Sequence, residues 1–341
     1  MNNRRSFLKN IGNLVALAAM PFGAAQAANN RIIVVGGGVA GTRVAAYLKI
    51  SLPSATVMLF DSALKNFSGN KYIAIQNNYK PVSKEVLDEI GIDVIAEIIT
   101  QLNSVEKVVH LANGKSYKAD LLVVAPGVDF KWGDLNGYKL GMEQNILHAW
   151  QHPSNELVLW KQIESMKNGD NIVISIPQAP YSFTQGPYQR ATRIASYLKK
   201  SKPGSKILVL DSNNEFPSMQ SYLELWENKF PNMVEWISAS NGGVLEKVDL
   251  QRNLVYAGGE IIKSAVLNVI PPQQAGVVAR QAGLNLNSDW CQVNSDTLES
   301  IHYKHVYVIG DANNVDINNK TASSAEHQAL QCVTSIKALI S

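Results

Sequence analysis

Arg31-Ile32-Ile33-Val34-Val35-Gly36-Gly37-Gly38-Val39-Ala40-Gly41 is the stretch on which the fold turns. Its first five residues are an apolar, β-branched run of strand length. The glycines at 36, 38 and 41 follow at once, and a helical pattern then runs through Leu48 until Pro53 stops it. Thr56-Val57-Met58-Leu59-Phe60 reads as a second strand, and an acid, Asp61, stands at its end, twenty residues after Gly41. A strand, a G-x-G-x-x-G turn, a helix, a second strand and a terminal acid form a dinucleotide-binding βαβ unit. The glycines permit a tight turn and let the N–H groups of Val39, Ala40 and Gly41 approach a pyrophosphate at the helix N-terminus. Asp61 is placed to accept a hydrogen bond from an adenosine ribose hydroxyl.

The same grammar continues outward. Lys107 to His110, the turn Asn113-Gly114 and Ser116-Tyr117 read as a hairpin, and Leu121 to Ala125 as a buried strand ending at Pro126-Gly127. A second unit begins near residue 145. It has strands at Asn171–Ile176, Lys206–Leu210 and Val234–Ser238, and helices at Arg190–Lys200 and Ser218–Lys229. Val244 to Val255 and Glu260 to Ala265 read as an antiparallel excursion. A late strand, Val306 to Ile309, delivers Gly310-Asp311, and a closing helix runs from about Ala322 to Ile340. The expected fold class is α/β, with two Rossmann-like dinucleotide-binding domains, the second inserted in a discontinuous first. The expected division is 31–133 and 266–341 for the first domain and 134–265 for the second.

The second unit lacks the glycine fingerprint of the first. After its strand comes Pro177-Gln178-Ala179-Pro180-Tyr181-Ser182-Phe183-Thr184-Gln185-Gly186-Pro187-Tyr188. The prolines remove N–H donors that a pyrophosphate would need. The sequence therefore argues against a nicotinamide cofactor.

Asn3-Arg4-Arg5-Ser6-Phe7-Leu8-Lys9 is a twin-arginine (Tat) signature. An apolar stretch from Ile11 to Ala25 and the small-residue site Ala25-Gln26-Ala27 follow it, so residues 1–27 read as a signal peptide for export to the periplasm. Arg4, Arg5 and Lys9 account for the whole formal net charge of +3, since residues 1–27 contain no acid. The rest of the chain is near neutral and offers no electrostatic case for nucleic acid or anionic lipid. No apolar run is long enough to predict a membrane span. The two cysteines, Cys291 and Cys332, form no C-x-x-C redox pair, no C-x-x-C-H haem site and no zinc spacing. One disulfide and two buried thiols are both open readings.

The loop of the second unit, with Arg190-Ala191, resembles the P-P-x-P-[FY]-R-C-P-P-G-P-Y-E-R-A segment of the flavocytochrome c sulfide dehydrogenase flavoproteins. Further likenesses are Gly127-Val128-Asp129-Phe130, His148-Ala149-Trp150, Lys206 to Ser212, Asn268 to Gly276, Trp290-Cys291 and Lys320 to Gln328. The resemblance implies an FAD oxidoreductase with two dinucleotide domains. Asp311 would lie near the ribityl and pyrophosphate of FAD, and Ala125-Pro126-Gly127 would end the first half of the FAD domain. The FAD-binding residues are thus expected to be Gly36, Gly38, Val39, Ala40, Gly41, Asp61, Pro126, Gly127, Gly310 and Asp311.

The departures from that family carry equal weight. The family cysteine that holds FAD covalently is missing from Asn66-Phe67-Ser68-Gly69-Asn70-Lys71, so FAD is expected to be non-covalent. The redox-active pair would fall at or next to Thr184 and at Asn313, and Gln189 stands where the family has a glutamate. Neither Thr nor Asn performs thiolate chemistry. The sequence therefore predicts a periplasmic FAD oxidoreductase that takes electrons from a small-molecule donor and passes them to a separate c-type cytochrome. The cysteine losses count against direct sulfide oxidation. The alternative is a catalytically silent flavin-binding or assembly subunit.

Overall fold

The computed structural model describes residues 29–62, 82–141, 148–150, 153–317 and 319–340. Residues 1–27, expected to be a signal peptide, and the cysteine-free stretch Asn66–Lys71 lie outside them. Among the described residues no helix is long and apolar enough to cross a membrane.

Along the chain, β1 (Arg31–Val35), α1 (Val39–Ser51), β2 (Thr56–Phe60) and β3 (Asp93–Ile95) come first. Three short antiparallel strands follow, β4 (Ile99–Asn103), β5 (Val108–Leu111) and β6 (Ser116–Lys118), and then β7 (Leu121–Val124). The middle of the chain holds α2 (Pro153–Ser165), β8 (Asn171–Ile176), α3 (Gly186–Ser201), β9 (Lys206–Asp211), α4 (Met219–Lys229) and β10 (Val234–Ile237). Next come β11 (Leu245–Asp249), β12 (Leu254–Ala257), β13 (Glu260–Lys263) and β14 (Val266–Val269). The return supplies β15 (Val306–Val308) and the closing helix α5 (Ala322–Ile340).

These elements form two compact units. The first takes the chain up to Asp129 and again from Gln274; the second is Phe130–Gln273. In the first unit a parallel sheet runs in the order β15-β7-β1-β2-β3. Its central strands are apolar throughout because both faces are covered: Ile32, Ile33, Val34, Leu122, Val123 and Val124 are fully buried. Helix α1 packs on α5, and the pair is tied by Tyr47 Oη donating to Glu326 at 2.8 Å and by an Arg43–Glu326 ion pair at 3.3 Å.

In the second unit the parallel sheet runs β10-β9-β8-β14. Strand β14 is a departure from expectation. Val266–Val269 was expected to begin the return to the first domain, but it pairs in parallel with β8, Val266 opposite Ile172 and Val269 opposite Ser175. A fully buried run such as Val-Leu-Asn-Val fits the interior of either sheet, and only pairing decides between them. Helix α3 also begins at Gly186, one turn before the predicted Arg190, because Pro187 is well suited to the first turn of a helix. The expected run Val244–Val255 divides into β11 and β12 around a turn.

Candidate dinucleotide-binding site

The three fingerprint glycines do three different jobs. Gly36 has φ +106°, and a Cβ there would run into the carbonyl of Ala125 at the end of β7. A Cβ on Gly41 would strike the Gly36 carbonyl, so its absence lets α1 close on the turn. Gly38 differs: nothing lies within 4 Å of where its Cβ would be. The first two glycines serve the protein's own packing, and the third keeps a space open beside the turn. Gly38 is also the N-cap of α1, and that helix has neither a side-chain cap nor an acid in its first turn. The amides of Val39, Ala40 and Gly41 thus stand at a positive helix end beside open space.

Asp61 follows β2 directly. Its amide donates to Ile95 O at 3.2 Å, and its carboxylate accepts from the amide of Gly37. The acid therefore reaches the glycine turn. On the other side, Gly127 has φ +63° with open space at its Cβ position, and its carbonyl accepts from Gly276 N at 2.9 Å. A Cβ on Gly276 would lie 2.6 Å from the carbonyl oxygen of Pro126, so the returning chain packs closely on Pro126-Gly127.

The late turn completes the site. Gly310 comes so close to the first turn of α1 that its Cβ would lie 3.1 Å from that of Ala40. Gln328 of α5 accepts from the Gly310 amide at 2.7 Å. Asp311 then follows in a short 3-10 turn, Gly310–Ala312. Its carboxylate accepts no hydrogen bond among the described residues, and burial pushes its carboxyl upward against the pull of Lys320. Glycine turn, Asp61, Pro126-Gly127 and Gly310-Asp311 are thus gathered at the strand ends of one parallel sheet, where open α/β folds bind ligands. An open space at Gly38 and a half-buried carboxylate without donors fit a dinucleotide rich in hydroxyls.

The second unit has the same frame with a different filling. Asp211, at the end of β9, holds the position that Asp61 holds at the end of β2. It is fully buried. Tyr188 Oη donates to one carboxylate oxygen at 2.6 Å and Trp236 Nε1 to the same oxygen at 2.9 Å. The amide and side chain of Asn213 donate to the other oxygen at 3.0 and 2.8 Å. The Tyr188 ring stacks on Phe216, with centroids 3.6 Å apart and planes 8° from parallel. This acid is committed to the protein's own side chains.

Residues 156–271 match the family of the sulfide dehydrogenase (flavocytochrome c) flavoprotein chain, central region. The chain is 21% identical over 310 residues to the mitochondrial sulfide:quinone oxidoreductase of Mus musculus, covering 87% of this chain and 68% of that protein. The enzyme of the same name from Dictyostelium discoideum is 23% identical over 320 residues, covering 88% and 68%. Among solved structures, the sulfide:quinone oxidoreductase of Aquifex aeolicus superposes with a TM-score of 0.72 at 18% identity, covering 91% of this chain and 77% of that one. Over residues 156–271 this chain is similar to the sulfide dehydrogenase flavoproteins, and over most of its length to sulfide:quinone oxidoreductases. A NAD-dependent persulfide reductase from A. fulgidus shares the fold at a TM-score of 0.66 and 14% identity, covering 90% of this chain and 59% of that one.

Three of the segments that carry the likeness meet in the second unit around Arg190. Its guanidinium donates to Asn268 Oδ1 at 2.9 Å, to the His148 carbonyl at 3.3 Å and to the carbonyl of Ala149. Asn268 Nδ2 in turn donates to His148 O at 2.9 Å. Arg190 is thus a buried strut that joins α3, β14 and the His148-Ala149-Trp150 segment. Its role was not legible from spacing.

Thr184 and Asn313, the positions where the resemblance would put redox cysteines, are both buried. The carbonyl of Thr184 accepts from Tyr181 Oη at 3.2 Å. Asn313 donates to Val308 O at 2.9 Å and to Gln328 at 2.8 Å, and accepts from Val315 N at 3.0 Å. Its amide laces the Gly310 turn to α5. Cys291 is beside it in the fold: Cys291 N donates to Ala312 O at 2.9 Å, and Asn314 N to Cys291 O at 3.0 Å. Both thiols are free and buried rather than joined in a disulfide. Burial pushes Cys291 up to about 12 and Cys332 higher still, so neither is a thiolate at neutral pH.

Proposed function

We propose that this chain is an FAD-dependent oxidoreductase of the sulfide dehydrogenase kind. In this reading it is exported to the periplasm and passes electrons from a small-molecule donor to a separate c-type cytochrome. One observation carries the reading. The open turn at Gly38 and the donor-less carboxylate of Asp311 belong to one site, joined by the close approach of Gly310 to Ala40. Bound there, FAD supplies a two-electron redox centre. The amides of Val39, Ala40 and Gly41 receive its pyrophosphate, and Asp61 and Asp311 accept from its hydroxyls. The occupied state of Asp211 supports an electron donor other than a nicotinamide dinucleotide.

The twin-arginine signature supports export, since that route carries folded proteins and a tightly held flavin requires a folded chain. The lack of a haem-attachment motif supports an electron acceptor on a separate chain. The absence of cysteine from Asn66–Lys71 supports non-covalent flavin.

The test begins with the purified protein. It should be yellow, and acid precipitation should release all the colour into the supernatant. Colour retained in the washed pellet would overturn the non-covalent reading. A colourless chain that takes up no added FAD would overturn the cofactor assignment. Replacing Arg4 and Arg5 by lysine should leave the precursor in the cytoplasm; export of that variant would remove the twin-arginine route.

A further inference from the structure

Lys320 lies two residues before α5 and is only 3% exposed. Its ammonium donates to Asp311 O at 2.8 Å and to Asn313 O at 2.6 Å, and stands 4.1 Å from the centre of the Trp290 ring. It therefore clamps both ends of the turn that presents Asp311. The acids that face it are Asp311 and Asp316, with the Cys291 thiol beside them. The Asp316 carboxylate is engaged by Asn319 at 3.1 Å and Ser324 at 3.2 Å, and no carboxylate forms an ion pair with Lys320 among the described residues.

Neither the buried Lys320 nor the half-buried Asp311 has an oppositely charged ion-pair partner among the described residues. Burial draws Lys320 down to about 8, against the attraction of Asp311, Cys291 and Asp316. Burial also drives Asp311 upward, with Lys320 pulling it back. The sign of the linkage follows. A lysine whose folded pKa lies below its unfolded value binds fewer protons folded than unfolded, so between about pH 8 and its ordinary value the fold gains stability as pH rises. The buried ammonium thus costs stability while it shapes the turn.

We propose that Lys320 is a positioning residue for the dinucleotide. As an ammonium it holds the Gly310–Asn313 turn in the shape that presents Asp311, and cofactor binding takes up a proton from solvent at Lys320 whenever that side chain is neutral. The proposal rests on the FAD reading above. A neutral amine makes weaker hydrogen bonds to the two carbonyls and gives up its attraction to the Trp290 ring, so the turn loosens and the cofactor leaves.

The experiment titrates FAD into the apoprotein of the full chain, followed by flavin fluorescence, from about pH 6.5 to about pH 9.5. The variants are Lys320→Met, Lys320→Arg and Gly38→Val. In the native chain the dissociation constant should rise about thirtyfold between pH 7 and pH 9.5, as one proton linked through a pKa of about 8 requires. Calorimetry in two buffers of different ionisation enthalpy should show proton uptake above pH 8. Lys320→Met should bind at least about tenfold more weakly at pH 7 and show no such slope. Lys320→Arg, always charged, should bind well and lack the slope too.

A native profile without slope, or an equal slope in Lys320→Arg, overturns the proposal; a shared slope belongs to the flavin ring. If Lys320→Met fails to fold, the native and arginine profiles decide. FAD binding that is lost in Gly38→Val but indifferent to Lys320 sinks this proposal and leaves the cofactor assignment standing. No binding by the native chain, or full binding by Gly38→Val, takes down both.

Discussion

The glycine turn after β1 and the proline-tyrosine loop after β8 occupy equivalent places in two parallel sheets, and each is followed by a strand that ends in an acid. In the first unit the turn keeps an open space at Gly38, and the acid at the end of β2 reaches the turn itself. In the second unit Tyr188 projects from the start of α3 onto the acid at the end of β9, with Trp236 and Asn213 completing its shell. The stacked Tyr188–Phe216 pair lies beside that acid. A buried carboxylate satisfied by four donors has no remaining need of a ribose hydroxyl. The difference teaches that one frame can hold an open turn or one filled by side chains, and that function follows the turn rather than the sheet.

The largest effect expected concerns sulfur chemistry. One lost cysteine position, Thr184, belongs to the second unit, and the other, Asn313, to the first. Neither offers a nucleophile, and Gln189 supplies no base. Sulfide should therefore reduce this flavin at least about a thousandfold more slowly than a cysteine-containing relative in stopped flow, the scale of losing a catalytic nucleophile. A variant with both Cys291→Ser and Cys332→Ser should be no slower. Fast reduction abolished by Cys291→Ser alone would move the site to that thiol.

The next effect breaks the glycine turn without breaking the fold. Gly38→Val should lower FAD affinity by about a hundredfold or more, because the side chain occupies the space the pyrophosphate needs. Its melting temperature as apoprotein should stay near that of the native chain, since nothing lies within 4 Å of the new Cβ. Gly36→Val and Gly41→Val should unfold instead, because their side chains meet backbone. Equal FAD occupancy in Gly38→Val would detach the cofactor from this turn.

The smallest effect sharpens the other half of the comparison. Tyr188→Phe removes one donor from the buried Asp211 and should destabilise the chain by about 1–3 kcal/mol, the usual range for a buried acceptor losing a partner. FAD content should be unchanged, and NADH should still neither bind nor reduce the flavin. Tight NADH binding by the native chain would show that the second site is not filled.

Much of this arrangement was legible in the sequence. A strand buried on both faces must be apolar throughout, so β1, β2 and β7 announced themselves, and the glycine spacing located the turn. Asp61 could be placed because a βαβ unit returns its second strand beside its first. Strand β14 could not be assigned to a sheet, because four buried residues carry no information about which neighbour they pair with. Nor could the roles of Arg190, Asp211 and Lys320 be read, since each depends on partners brought from distant segments.

The sequence by itself determined that there would be two α/β frames, that one carries a dinucleotide turn and the other does not, and that the redox thiols are missing. The first two follow from residue type and short-range spacing, because backbone freedom at glycine is a property of the residue itself; the third follows from the resemblance to the sulfide dehydrogenase flavoproteins. Only the tertiary structure decided that Asp211 is saturated while the Asp311 carboxylate is left without donors. It also decided that Asn313 laces a turn to α5, and that the two cysteines are buried, protonated thiols. Burial and hydrogen-bond partnership set those outcomes, and both are properties of where the rest of the chain comes to lie.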